Sequence, residues 1–271
     1  MANVPPTYLA DLNPHERDSR ITFDEGPHIY TIDGDSNYTS VTTWNHCHFE
    51  QFDADRIIRG MMNGKNWKPG NKYYEMTPDE IKQSWDKNRD EAASAGTKMH
   101  YDIECFYNNM DVKNDSIEYE YFKRFVHDFP ELNARPYRTE WMIYHEELRL
   151  AGSIDMIYEN PDGTLCIYDW KRSKEITKTN GWNKWGNKDC IEHLPDSNYW
   201  HYCLQLNTYK AIIQEKYGKK VGDLYLICLH PNNKNNSYQR IKVADLQEEV
   251  QELFALRRTS LYCHNKIADI K

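Results

Sequence analysis

The stretch from Arg149 to Ser173, RLAGSIDMIYENPDGTLCIYDWKRS, constrains the fold more than any other part of the chain. Ser153 to Tyr158 and Thr164 to Lys171 are rich in β-branched and aromatic residues, and Asn160-Pro161-Asp162-Gly163 between them has turn chemistry, so two strands joined by a tight turn are expected. Asp155 lies inside the first strand. Asp169 lies at the end of the second, two residues before Lys171. A tight hairpin brings both acids and the ammonium to the same end of a sheet, an arrangement suited to a divalent cation and a phosphate.

The residues around this hairpin alternate between strand and helix signals. Residues 1 to about 20 carry Pro5, Pro6 and Pro14 without periodicity and read as an irregular arm. Two short β segments follow around Asp24-Glu25-Gly26-Pro27, then a turn at Asp33-Gly34, a short helix over Asp53 to Met62 and a loop from Asn63 to Asn71. Thr77-Pro78-Asp79-Glu80 is a capping box with Pro at the first helical position, and a further helical segment runs to about Tyr107. Asp115 with Glu118 is expected to cap the next helix, whose Tyr119, Phe122, Phe125 and Val126 recur at helical spacing up to Pro130. From Tyr137 the period becomes that of strands. Arg172 to Tyr199 shows little apolar periodicity, a helix resumes over Trp200 to Tyr217, and two strands, Asp223 to His230 and Tyr238 to Val243, flank the polar turn Asn232 to Ser237. Asp245 with Glu248 caps a closing helix. The expectation is an α/β chain with a largely helical front half, about 21–135, and a sheet with flanking helices, about 136–271, in one domain.

A chain of 271 residues with 39% hydrophobic composition can bury a sizeable core. Its formal charge of −8 argues against a protein that coats nucleic acid with its whole surface, though it leaves room for a local basic groove. The apolar runs fall far short of the roughly 20 residues that span a bilayer. The opening MANVPPTYLADLNPHERD lacks the basic-then-apolar order of a signal peptide, so a soluble, intracellular protein is expected. Seven cysteines without paired close spacings fit reduced thiols. His46 and His48 flank Cys47, but no second pair stands at finger spacing, and a zinc site is not expected.

Gly96-Thr97 leads into a helix presenting His100 and Glu104 four apart, hence on one face, and Gln205 and Tyr209 share the same spacing downstream. In chain order, GTxxH, an acid preceded by AGSI, DWK and QLxxY resemble the PD-(D/E)XK nuclease superfamily, most of all its RecB-like branch with its phage and viral exonucleases. That resemblance implies a restriction-endonuclease-like core, a central mixed β-sheet flanked by helices. It also implies that Asp155 and Asp169 are carboxylate ligands of Mg²⁺ or Mn²⁺, with the backbone carbonyl of Trp170 as a further oxygen ligand and His100 completing the shell. A nitrogen donor among hard oxygens suits Mn²⁺ at least as well as Mg²⁺. Lys171 is implied to orient the attacking water, and Glu140 is an acid at a position that recurs in RecB-like relatives. Gln205 and Tyr209 are implied to brace the site and touch the DNA backbone. Glu104 stands open between a residue that holds a ligand, a ligand of a second metal, and a solvated helix acid. Some relatives hold an iron–sulfur cluster with one early cysteine and a late triplet; Cys190, Cys203, Cys228 and Cys263 are too scattered, so none is expected.

Between Lys171 and Lys188 the cations Lys171, Arg172, Lys174, Lys178, Lys184 and Lys188 face Glu175 alone, with Trp182 and Trp185 interleaved. Cations that track phosphates and aromatics that stack bases are what a single-strand groove requires. The alternative is a solvated insert with its tryptophans tucked into the body. The reading as a whole is a metal-dependent DNA nuclease, with exonuclease action on ends or single strands implied by the resemblance. An endonuclease, an RNA-directed nuclease and a non-catalytic nucleic-acid-binding module are the alternatives.

Overall fold

The computed structural model describes residues 5–129 and 134–268. In chain order the elements are α1 (Tyr8–Leu12), a 3-10 turn (Asp18–Arg20), β1 (Ile21–Asp24), β2 (Ile29–Ile32), β3 (Thr39–Ser40), α2 (Val41–His46), α3 (Ala54–Met62), α4 (Pro78–Tyr107) and α5 (Ile117–Asp128). The second half holds β4 (Arg135–His145), β5 (Leu150–Glu159), β6 (Leu165–Lys171), a 3-10 turn (Asp189–Ile191), α6 (Asn198–Lys216), β7 (Val221–Cys228), β8 (Gln239–Lys242) and α7 (Gln247–Ala268). One domain is expected over 21–271; the chain divides into two compact units, residues 1–50 with 100–271 and residues 51–99. The smaller unit is mostly exposed side chains, with Ile58, Ile81 and Met99 its buried apolar residues.

The larger unit is built on a mixed sheet. β4 pairs antiparallel with β5 from Arg135–Glu159 to His145–Leu150. Two strands share the other edge of β5: β6 pairs antiparallel with Met156 to Glu159, and β3 pairs parallel at Leu150 and Ala151. Between Ala151 and Met156 that edge has no strand partner among the described residues. β6 continues parallel to β7, and β7 antiparallel to β8.

Period-two alternation on β6 assigns the faces. Tyr168 and Trp170 meet Phe125 of α5 on one side. Asp169 and Lys171 point the other way, where the Tyr202 ring of α6 lies 4.5 Å from Lys171 Nζ. α6 buries Tyr199, Cys203, Leu204, Leu206, Ile212 and Ile213 among others, and packs against α2 and α7. Its buried residues fall on more than one side, and only Gln214 and Glu215 near its end are exposed.

Local signals set most helix starts. Thr77 and Glu80 form the expected capping box, Thr77 N donating to Glu80 Oε2 at 2.7 Å and Glu80 N to Thr77 Oγ1 at 3.3 Å. The helix it opens runs unbroken to Tyr107. For α5 the cap is Ser116, which accepts from Tyr119 N, one residue on from the expected Asp115; α5 ends at Asp128, and Pro130 lies outside the described residues.

The segment read as an irregular arm is stitched along β4 in its described part. Asn13 Nδ2 donates to Tyr137 O at 2.9 Å, Arg17 donates to Tyr144 O, and Trp141 Nε1 donates to Asp18 Oδ1 at 2.8 Å. These contacts cover the outer edge of β4, whose carbonyls meet no further strand among the described residues. Three prolines mask that role, because the partners lie more than a hundred residues away. Among the described residues no helix is long and apolar enough to cross a membrane.

Asn207 of α6 fixes the start of α7. Its buried amide donates to Cys203 O and Ala244 O and accepts from Leu246 N and Gln247 Nε2, so its hydrogen-bonding capacity is filled. Asn207→Leu is expected to leave the Leu246 N–H and the Ala244 carbonyl unpaired and to lower the unfolding free energy by about 3 kcal/mol in a urea titration. An unchanged midpoint would contradict this.

Candidate active site

The gap on the edge of β5 opens into a cavity of about 440 Å³, lined among others by His100, Glu140, Gly152, Ser153, Asp155, Lys171, Tyr202, Gln205 and Tyr209. The ladder of β5 and β6 ends at Met156–Tyr168. Asp155 and Asp169 stand opposite each other one step beyond it. The Trp170 N–H, with no β5 carbonyl to meet, donates to Asp155 Oδ2 at 2.9 Å. Its carbonyl points to the same side and pairs with His100 Nε2 at 2.8 Å. A carbonyl only accepts, so Nε2 carries the hydrogen and Nδ1 turns to the acids.

Glu140 falls level with Asp155, between the pairs Thr139–Met156 and Trp141–Ile154. Its φ of 42° is left-handed, a conformation that costs a non-glycine residue about 1–3 kcal/mol and collects at functional sites. Its Oε2 accepts from Ser153 Oγ at 2.8 Å. His100 Nδ1 lies 3.8 Å from Glu140 Oε1 and 3.5 Å from Asp155 Oδ2. One ligand atom from each of His100, Glu140 and Asp155 lies within 4.8 Å of the others.

Asp169 is 2% exposed, and Lys171 Nζ stands 2.7 Å from its Oδ2. That oxygen is fully buried, and the Lys171 ammonium is its close neighbour. Burial first, and then the charge of Asp155, pushes Asp169 up to about 6. Burial and the charge of Glu140 likewise raise Asp155 against the opposing pull of His100 and Lys171. Burial opposes charge on His100 too, yet the carboxylates of Asp155 and Glu140 prevail and raise it to about 9. Lys171 is held above the ordinary lysine range by Asp169 and Asp155 despite its burial. Three carboxylates converge here against one ammonium and one imidazole, and hard oxygens with one imidazole fit a divalent ion.

The structure brings together Asp155, Asp169, Lys171, His100 and Glu140. Trp170's carbonyl, expected as an oxygen ligand, is engaged by His100 and orients that ring. Glu104 is half-buried one helical turn on, raised to about 7 by burial and then by Glu140, and lies outside the three-ligand group. Gln205 Nε2 donates to Tyr209 Oη at 3.2 Å. Tyr209 is buried, and its ring fills the space beside Gly152, where an added Cβ would lie 2.8 Å from Cε1. The glycine of AGSI is therefore a clearance for Tyr209, a role that a glycine inside a strand signals. Tyr202, three residues before Gln205, holds its ring against Lys171 and was not singled out by any motif.

The basic loop after β6 divides. Arg172 pairs with Glu118 at 2.6 Å and Lys184 with Glu50 at 2.8 Å, so these two cations, expected to meet DNA, are already held by carboxylates. Lys174, Lys178 and Lys188 are exposed without an ion pair among the described residues. Trp182 is 82% and Trp185 46% exposed, so neither is tucked into the body.

A family model described as the PD-(D/E)XK nuclease superfamily matches residues 72–269. No curated protein matches the chain. A solved structure titled "Crystal structure of SSO0001" is similar over 84% of this chain and 77% of its own, with 13% identity and a TM-score of 0.33.

Gly152→Ala is expected to displace Tyr209 and to destabilise the protein by about 1–3 kcal/mol, the usual cost of overpacking, read as a lowered melting temperature. An unchanged melting temperature would show that the Tyr209 ring does not depend on this clearance.

Proposed function

The chain belongs to the PD-(D/E)XK nuclease superfamily, which implies metal-dependent nuclease activity, and from that premise we propose that it hydrolyses DNA, as an exonuclease acting on ends or single strands. The observation that carries the reading is the convergence of His100 Nδ1 with the Glu140 and Asp155 carboxylates beside the buried pair of Asp169 and Lys171. The order of the GTxxH, AGSID, DWK and QLxxY motifs favours a RecB-like exonuclease over the other branches.

In this reading His100, Glu140 and Asp155 hold a divalent cation, Mg²⁺ or Mn²⁺, with Asp169 beside them. Bound there, the ion supplies Lewis-acid charge to the scissile phosphate and lowers the pKa of water. Asp169 and Asp155 hold Lys171 above the ordinary lysine range against its burial, and so favour its ammonium form. It is therefore a donor and a counter-charge instead of a base. It orients the water that attacks phosphorus and offsets the charge that grows on the phosphate oxygens as the ester oxygen leaves. No protein atom becomes bonded to phosphorus. Trp170's backbone holds Asp155 and His100 in place, and Gln205 and Tyr209 brace the wall opposite Gly152. Lys174, Lys178 and Lys188, with Trp182 and Trp185, offer cations and stacking faces to the strand.

End-labelled single- and double-stranded DNA incubated with Mn²⁺ or Mg²⁺ tests the proposal. Cleavage is expected in wild type and about 100-fold or more slower in Asp169→Ala and in Lys171→Ala. Covalently closed circles are expected to survive. DNA binding without cleavage in either metal would sink the enzyme, and cutting of closed circles would make it an endonuclease. In the same samples, Lys178→Gln with Lys188→Gln should flatten the salt dependence of binding more than Lys184→Gln, whose cation Glu50 already neutralises; equal effects would remove the loop from the strand path.

A further inference from the structure

The smaller unit carries a second basic surface that none of the motifs includes. From Arg56 to Tyr74 the sequence RIIRGMMNGKNWKPGNKYY has five cations and no acid, in a chain whose formal charge is −8. Elsewhere in this unit cations are neutralised by neighbours. Lys82 pairs with Asp55, Lys87 with Glu91 at 3.9 Å and Arg89 with Asp86 at 2.8 Å. Arg59, Lys65, Lys68 and Lys72 are exposed; Asp55, which pairs with Lys82, also feels the charge of Arg59, and no carboxylate among the described residues forms a close ion pair with any of the four. Unpaired like charges at this density repel one another, so their accumulation on one segment calls for an external anion.

The backbone holds this segment in order without burying it. Trp67 N donates to Gly64 O at 3.0 Å, Asn71 N to Lys68 O at 3.0 Å and Tyr74 N to Asn71 O at 3.1 Å, three successive tight turns. Gly70, at φ +96°, supplies the left-handed step after Pro69. Between Asn63 and Glu75 no residue is buried. Its cations stand in solvent, while Trp67, Tyr73 and Tyr74 are half-buried and keep part of their rings exposed. Its aromatic residues are interleaved with the cations. Trp67 lies 6.0 Å from Tyr74, and Lys72 Nζ lies 5.1 Å from the Tyr73 ring. Lys65, Lys68 and Lys72 recur every three or four residues, the interleaving of point charges with flat faces that suits a polyphosphate chain bearing bases.

We propose that residues 59–74 form a second DNA-binding surface, in which Arg59, Lys65, Lys68 and Lys72 contact backbone phosphates and Trp67 offers a stacking face. The identity of the polyanion as DNA rests on the nuclease reading above. A backbone contact of this kind carries no sequence information and adds affinity without touching the cleaved bond.

The full chain in metal-free buffer with EDTA, titrated against fluorescent single-stranded and duplex DNA at several salt concentrations, tests this. The triple variant Lys65→Gln, Lys68→Gln, Lys72→Gln is expected to bind single strands about tenfold more weakly, with the slope of log K against log salt reduced by about 2, from roughly 0.7 per phosphate contact. The matching triple Lys→Arg variant is expected to retain wild-type affinity, and both should melt with wild type because the three positions are exposed. Wild-type affinity and slope in the Gln variant would overturn the surface, including in a protein that cleaves DNA as proposed. If wild type binds but never cleaves with Mn²⁺ or Mg²⁺, the nuclease reading fails while a weakened Gln variant still upholds the surface. Absence of DNA binding by wild type would overturn both.

Discussion

The proposed site depends on one residue, Trp170, whose backbone N–H and carbonyl the sheet leaves without a strand partner among the described residues. β5 and β6 part after Met156 and Tyr168, so the N–H and carbonyl of Trp170 face a gap where a strand should be. The N–H is satisfied by the Asp155 carboxylate and the carbonyl by the His100 ring. Two side chains of the proposed site, from distant parts of the sequence, thus complete the hydrogen bonding of the sheet, and each is oriented by doing so. The Trp170 side chain anchors the same residue from the other face, edge-on to Phe122 and Phe125 of α5 and stacked at 13° on Tyr107 of α4. Shifting β6 by one residue would turn Trp170 toward the cavity and Asp169 and Lys171 into the core.

That arrangement makes the electrostatics coherent. Glu140, Asp155 and Asp169 lie on three neighbouring strands at one level, and burial raises the cost of charge on Asp155 and Asp169. Lys171 and His100 answer part of that charge. The left-handed backbone at Glu140 is the local cost of turning a third carboxylate to the same point. A left-handed residue and three converging carboxylates at one place fit a ligand that relieves the charge, as a divalent cation would.

Much of this was legible in the sequence where the signal was local. The turn at Asn160 to Gly163 fixes the hairpin, Asp155 and Asp169 follow from strand spacing, and the capping box at Thr77 marks the start of α4. His100 needed the motif order, since helical spacing alone only places it on a face with Glu104. The left-handed Glu140, the engaged carbonyl of Trp170 and the clearance at Gly152 depend on strands meeting at a register that periodicity does not specify. The same holds for the N-terminal segment, whose Asn13, Arg17 and Asp18 find partners on β4. Arg172 and Lys184 looked like free cations because Glu118 and Glu50, which hold them, are far away in the chain. The basic run from Arg59 to Lys72 was visible in the sequence but carried no motif; its unpaired state emerged only when the ion pairs of its neighbours were known.

The central claim is that His100, Glu140 and Asp155, from a helix and two strands, form one cation site. Calorimetric titration of the full chain with Mn²⁺, beside His100→Ala and Glu140→Ala, tests it most directly. The account predicts saturable binding in wild type and affinity about tenfold or more weaker in each variant, since each removes one donor from the same ion. Undiminished Mn²⁺ binding in both variants would contradict it.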